Sequence, residues 1–278
     1  MKKKIVSGCI FAFLFHATML SAENFDATTQ IVGRITNGFE TPVNQLVTPA
    51  GTLIELPGLR PQAIALSPDE KILVTAGLTH ELVIIDPAAE KIVQRAALPA
   101  DTIQESAVAE GILNPDEKAQ LSYTGLKFSP DGSRIYLSNV NGDIKVFGVG
   151  ADKKVSPLFS FPLPEANTKG RTNEIPTGIA VSADGKKIYV AGNLSNRLFE
   201  LDALTGKVLR TWNVGIAPFD VLVTDKKIYV SNWGGRRPQT ESLTGPAGLG
   251  THVRADARGI ASEGSVSIIN LEQTQIQN

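Results

Sequence analysis

The densest group of chemically capable residues in this 278-residue chain is Asn232-Trp233-Gly234-Gly235-Arg236-Arg237, followed by Pro238. An indole offers a large rigid apolar face and a guanidinium a planar fork of donors, the pairing most typical of an interface anchor. Beyond them runs a stretch rich in Gly and Pro as far as Gly250. Connections that long on a rigid scaffold often carry recognition. These six residues are the candidate ligand- or partner-binding set. The sequence leaves two roles open for them: contact with a partner, or an internal one in which Trp233 caps a sheet while Arg236 and Arg237 satisfy nearby carbonyls or carboxylates.

Other chemistry is sparse. His80 and His252 lie far apart, with no second His at the spacing of a metal-binding helix, and each reads as a satisfied turn histidine. No G-x-S-x-G, S-x-x-K, phosphate-loop or dinucleotide pattern occurs. No catalytic residue, metal ligand set or cofactor is therefore assigned. Glu105, Glu110, Asp116 and Glu117 fall on a stretch of helical character within 101–122, either a solvated cover or a partner contact. Asn173, Glu174 and Asn213 sit at connections between repeats, where they would give polar lining to an axial mouth.

The frame that must hold these residues is one phrase written four times. It reads AIALSPDEKILVTAG from Ala63, GLKFSPDGSRIYLSN from Gly125, GIAVSADGKKIYVAG from Gly178 and DVLVTDKKIYVSN from Asp220. A hairpin this short cannot bury its apolar faces alone, so the copies must stack. The turn aspartates Asp69, Asp131, Asp184 and Asp225 are 62, 53 and 41 residues apart, the last close to the ~40–45 residues of a four-stranded propeller blade. The third copy predicts strands over 177–181, 187–190, 197–201 and 208–214. Asp131-Gly132 and Asp184-Gly185 suit tight turns with positive φ. Ile72-Leu73-Val74, Ile135-Tyr136-Leu137 and Ile228-Tyr229-Val230 are apolar at successive positions, so both faces of these strands are covered. Residues 45–56, QLVTPAGTLIEL, read as a further hairpin around Pro49-Ala50-Gly51, similar to the second half of a repeat.

At the N-terminus, Lys2, Lys3 and Lys4 precede an apolar run that closes on Ser21 and Ala22, the pattern of a bacterial secretory signal peptide over 1–22. The expected location is periplasmic or secreted, with no stable membrane anchor, an extended lead-in over 23–44 and the repeats from 45 to 278. The only cysteine, Cys9, leaves with the leader, which excludes disulfides and thiolate metal sites. Cleavage leaves 24 basic against 28 acidic side chains, a formal charge of −4. That balance gives no basic grip for nucleic acid.

The phrase D-G-K-K-I-Y-V, a small residue and Asn, with a strand ending in Asp before T-G-K-V, resembles the YVTN repeat of YncE-like β-propellers. Asn232 to Pro238, the Gly-rich insertion and the return at Gly259 to Ile268 resemble the N-terminal propeller of bacterial secreted proteins that continue into an alkaline-phosphatase-type phosphoesterase domain. The resemblance implies an all-β β-propeller of four-stranded antiparallel blades, here partial: three complete blades and a nearly complete fourth, an open arc of a seven-bladed ring. In the alternative, 52–56 supplies the missing outer strand and closes a four-bladed ring. The implied function is a non-catalytic module binding a protein, peptide or small-molecule ligand, with phosphoesterase chemistry in a region beyond Asn278. A lactonase-like hydrolase with an axial metal, or a truncated product without independent function, are the alternatives.

Overall fold

The computed structural model describes residues 32–36, 38–42, 45–48, 50–102 and 115–273. The leader with Cys9 and His16, and the acidic positions Glu105 and Glu110, lie outside the described residues. The chain divides into two compact units, 1–53 and 54–278. The first holds a small antiparallel sheet of β1 (Gly33–Ile35), β2 (Gly38–Glu40) and β3 (Leu46–Val47).

The second unit carries the repeats as four antiparallel sheets. The first is β4 (Pro61–Leu66), β5 (Leu73–Gly77), β6 (Glu81–Asp86) and β7 (Lys91–Ala97). The second is β8 (Leu121–Phe128), β9 (Arg134–Asn139), β10 (Asp143–Val149) and β11 (Val155–Pro162). β12 (Pro176–Val181), β13 (Lys187–Gly192), β14 (Arg197–Asp202) and β15 (Val208–Asn213) form the third. The fourth is three-stranded: β16 (Pro218–Val223), β17 (Lys227–Asn232) and β20 (Ser265–Asn270). Between its second and third strands the insertion folds into a separate hairpin, β18 (Thr244–Gly248) and β19 (Thr251–Arg254). This is a partial β-propeller, with the strand positions that the repeats predict. Gly132 and Gly185 take the positive φ that their turns require.

Three apolar layers glue the blades in sequence order. Leu82, Ile84, Leu126 and Leu137 belong to the layer between blades one and two, Tyr136, Ile144, Ile188 and Phe199 to the next, and Tyr189, Leu198, Val221 and Val230 to the last. Consecutive residues take opposite sides: Ile135 and Leu137 face blade one while Tyr136 faces blade three. Neighbouring blades are tied directly by side chain to backbone hydrogen bonds onto their first strands. Ser138 Oγ donates to the Thr177 carbonyl at 2.6 Å, and Thr177 Oγ1 to that of Pro218 at 3.1 Å. Their spacing leaves no room for a side chain at Gly178, where a Cβ would lie 2.6 Å from the Asp220 Cα.

The arc is open. Ile64 is 69% exposed on the outer face of blade one, and on that of blade four Leu222 is 64%, Val266 60% and Ile268 61% exposed. Two expectations need correction. Residues 45–56 are not a hairpin: β3 pairs with β2, and no strand occurs in 51–56. Ile54 and Leu56 instead cover Val83 and Ile85 on blade one, so they do not complete the fourth sheet and no four-bladed ring closes. The second concerns Asp225: the fourth turn is two residues shorter, and Thr224 Oγ1 holds it by accepting from the Lys227 amide at 3.0 Å.

Candidate recognition site

In an up-and-down sheet, the connections from strand four to the next blade share one rim with the strand two to three turns. Strand one to two and three to four turns share the other. The second rim has only tight turns, such as 129–133, 150–154 and 182–186. Among the described residues, the long excursions 163–175 and 233–264 emerge on the first rim, as do both ends of the 98–120 connection. Asn232-Trp233-Gly234-Gly235-Arg236-Arg237 opens the longest of them.

The six residues divide into supports and one exposed surface. Asn232 is 2% exposed at the end of β17, where its Nδ2 donates to Ser265 Oγ at 3.2 Å and Ser267 Oγ at 3.1 Å, tying the insertion's return to its departure. Gly234 passes so close to blade four's entry that a Cβ would lie 2.6 Å from Ile216 Cγ2, and Gly235 turns with φ +75° while its carbonyl accepts the Ile216 amide at 2.8 Å. Arg237 lies against the backbone: Nε donates to the Val214 carbonyl at 2.7 Å and a terminal nitrogen to that of Asn196. Burial, with the neighbouring Arg197 charge, holds its pKa below the ordinary guanidinium value. Arg236 stays exposed and meets Glu263 at 3.5 Å, a carboxylate it shares with Arg254 at 3.0 Å. The arginines thus satisfy carbonyls and a carboxylate.

Trp233 does not cap the sheet. It is 64% exposed and stacks on Phe219 with ring centroids 4.3 Å apart and planes 10° from parallel. Tyr123 reaches from blade two and meets both edge-on, at 5.4 Å from Phe219 and 6.2 Å from Trp233. Such pairs add about 0.5–1.5 kcal/mol each beyond their buried area, enough to hold the indole in one orientation while its outer face stays open. Tyr123 has φ +51°, unusual for a residue with a Cβ, and the hydroxyls of its neighbours Ser122 and Thr124 are buried without a hydrogen-bond partner. Strained backbone and orphaned polar groups concentrate at functional positions.

Sequence reasoning missed Tyr123 and Phe219, although the repeat contains their signal. With Gly125, Gly178 and Asp220 aligned, Tyr123 stands where the later copies have Pro176 and Pro218, and Phe219 where the earlier ones have Thr124 and Thr177. Both aromatics break the repeat at the same rim.

The other polar candidates are mostly structural. Glu174 is 1% exposed and accepts the Leu194 amide at 2.8 Å, so it braces a turn and lines no mouth. Asn173 donates to the Asn141 carbonyl, and Asn213 Oδ1 accepts from Arg237. Asp116 is not merely a solvated cover: with Asp143 it pairs the fully buried Lys145, at 2.8 and 3.0 Å. His80 Nδ1 contacts the Ala119 carbonyl at 2.8 Å, the satisfied role expected of it. His252 departs from that expectation, with no hydrogen-bond partner among the described residues. No cluster of three or more His, Cys, Asp or Glu suited to a metal occurs among the described residues.

No family model matches the chain, and no curated protein does. Among solved structures, it is similar to the β-propeller domain of Cps50 (Swd1) from Myceliophteria thermophila, with a TM-score of 0.46 and 12% identity over 62% of this chain. The match spans about half of that domain, 48%. The propeller assignment stands on the blades themselves.

Proposed function

We propose that this chain is an exported, non-catalytic recognition module of the YVTN type, and that it binds its partner on the rim of long connections. In this reading it forms the front part of a larger phosphoesterase-type protein whose chemistry belongs to a region after Asn278. The observation that carries the binding role is the exposed indole of Trp233, braced by Phe219 and Tyr123 from two different blades. A rigid aromatic face on a scaffold loses little entropy when it is covered, which makes it an efficient anchor. The supports around it have a matching logic. Asn232, Gly234, Gly235 and Arg237 fix the loop from which the indole projects.

The test is an array of oligosaccharides and peptides probed with the wild-type chain and Trp233→Ala. Loss of an anchor of this kind costs about 2 kcal/mol or more, a drop in affinity of roughly thirtyfold. Wild-type signals that survive unchanged in Trp233→Ala, with thermal stability also unchanged, would remove the indole from recognition.

A further inference from the structure

A second feature of the same rim is a groove of about 460 Å³ between the 163–175 connection, the 193–196 turn of blade three and the tip of the β18–β19 hairpin. Lys169, Arg197 and His252 line it, with Ser195, Leu249 and Thr251 between them. No Asp or Glu is among the lining residues.

The basic side chains there are unpaired. Among the described residues, the other arginines of the 163–175 connection and of the 233–264 insertion are engaged: Arg171 with the carbonyls of Asn173 and Val140, Arg236 and Arg254 with Glu263, Arg237 with backbone oxygens, and Arg258 with Asp256. Lys169, Arg197 and His252 have no hydrogen bond or ion pair there. Arg197 also lies close enough to Arg237 for the two like charges to repel. The buried Glu174 carboxylate behind the wall is held by the Leu194 and Ser195 amides and pairs with none of the three. A concave site whose basic side chains lack an acidic partner draws an anion, because a charge-assisted hydrogen bond in a recess is stronger than one to water on a flat surface.

The walls are built, not incidental. Gly250 brings the hairpin tip against Lys169, where a Cβ would lie 3.0 Å from the lysine's own Cβ, and Gly170 faces Leu249. Ser195 lines the groove, and its Oγ is buried without a hydrogen-bond partner. The walls thus come from blade three, the preceding connection and the insertion of blade four.

We infer that this groove is an oxyanion site, which takes a phosphate or carboxylate group of a ligand between Arg197 and Lys169 with His252 at its edge. The site does not depend on the Trp233 platform, and either can fail without the other.

The experiment titrates the full chain with inorganic phosphate and, separately, succinate at constant low ionic strength, following the His252 imidazole and the Ser195 and Gly250 amides by NMR. The expected result is saturable shifts at all three positions with at least one of the two ions. Arg197→Gln and Lys169→Gln, both exposed and therefore tolerant of change, should each weaken binding roughly tenfold. Arg258→Gln, on the same rim but paired to Asp256, should leave it unchanged. Saturation by phosphate alone, by succinate alone or by both supports the site and distinguishes the anion's source. Absence of saturable shifts with either ion overturns it, as would equal affinity in the Arg197→Gln and Lys169→Gln variants.

Discussion

Ser67–Asp69, Ser129–Asp131 and Ser182–Asp184 repeat one small device. The serine hydroxyl donates to the carboxylate at 2.7, 2.5 and 2.7 Å, and its own oxygen accepts an amide on the far side of the turn, that of Ile72, Arg134 or Lys187, at 2.9 Å. These bonds favour the charged carboxylate. Lys153 followed by Ser67 draws Asp69 below the ordinary range, Ser129 and Ser133 do so for Asp131, and Ser182 with the Lys186 amide for Asp184. A carboxylate with a depressed folded pKa contributes stability above its unfolded value, near 3.9, and loses it as pH falls through the folded value. The melting temperature is therefore expected to hold above about pH 5 and to fall progressively below about pH 4. Asp131→Asn should flatten that fall when unfolding is followed by circular dichroism across the range. A profile unchanged by the substitution would show that the turn contributes nothing to the acid limb.

At the scale of the element, the unit that matters is the first strand of each blade. It packs on a neighbour through one face; the first strand of blade three receives the Ser138 hydroxyl from the second strand of blade two and gives its own Thr177 hydroxyl to the first strand of blade four. Gly125 and Gly178 allow that approach, since a Cβ at Gly125 would strike the Thr177 carbonyl and one at Gly178 the Asp220 carboxylate. Overpacking against backbone costs about 1–3 kcal/mol, so Gly178→Ala should lower the urea midpoint by that equivalent without altering strand content. Full stability in that variant would mean the blades can be spread at no cost. Much of this was legible beforehand, because four copies of a hairpin with successive apolar residues require stacked, two-faced sheets. The hairpin expected over 45–56 was not. Its apolar residues satisfy either a strand or a cover, and Ile54 and Leu56 were claimed by Val83 and Ile85 across a turn that periodicity does not see.

For the propeller unit as a whole, the consequence of an open arc is two uncovered faces. Leu222, Val266 and Ile268 form an exposed apolar row at one end, and Ile64 and Leu66 stand exposed at the other. Contiguous apolar surface of this kind drives association. The isolated chain should self-associate as its concentration rises, and Leu222→Lys with Ile268→Glu should reduce it; sedimentation velocity reads the difference, and equal association in both proteins would exclude this face.

The repeated phrase determined stacked four-stranded sheets and their tight turns, because each is a property of neighbours in the chain. Which loop residues face outward was a tertiary matter. Arg237 was drawn inward by carbonyls from another connection, Trp233 was held outward by Phe219 and by a Tyr123 two blades away, and Lys169, Arg197 and His252 converged on one groove. Contacts between residues this far apart in sequence arise only when the curvature of the stacked blades brings their rims together, and no local pattern encodes that distance.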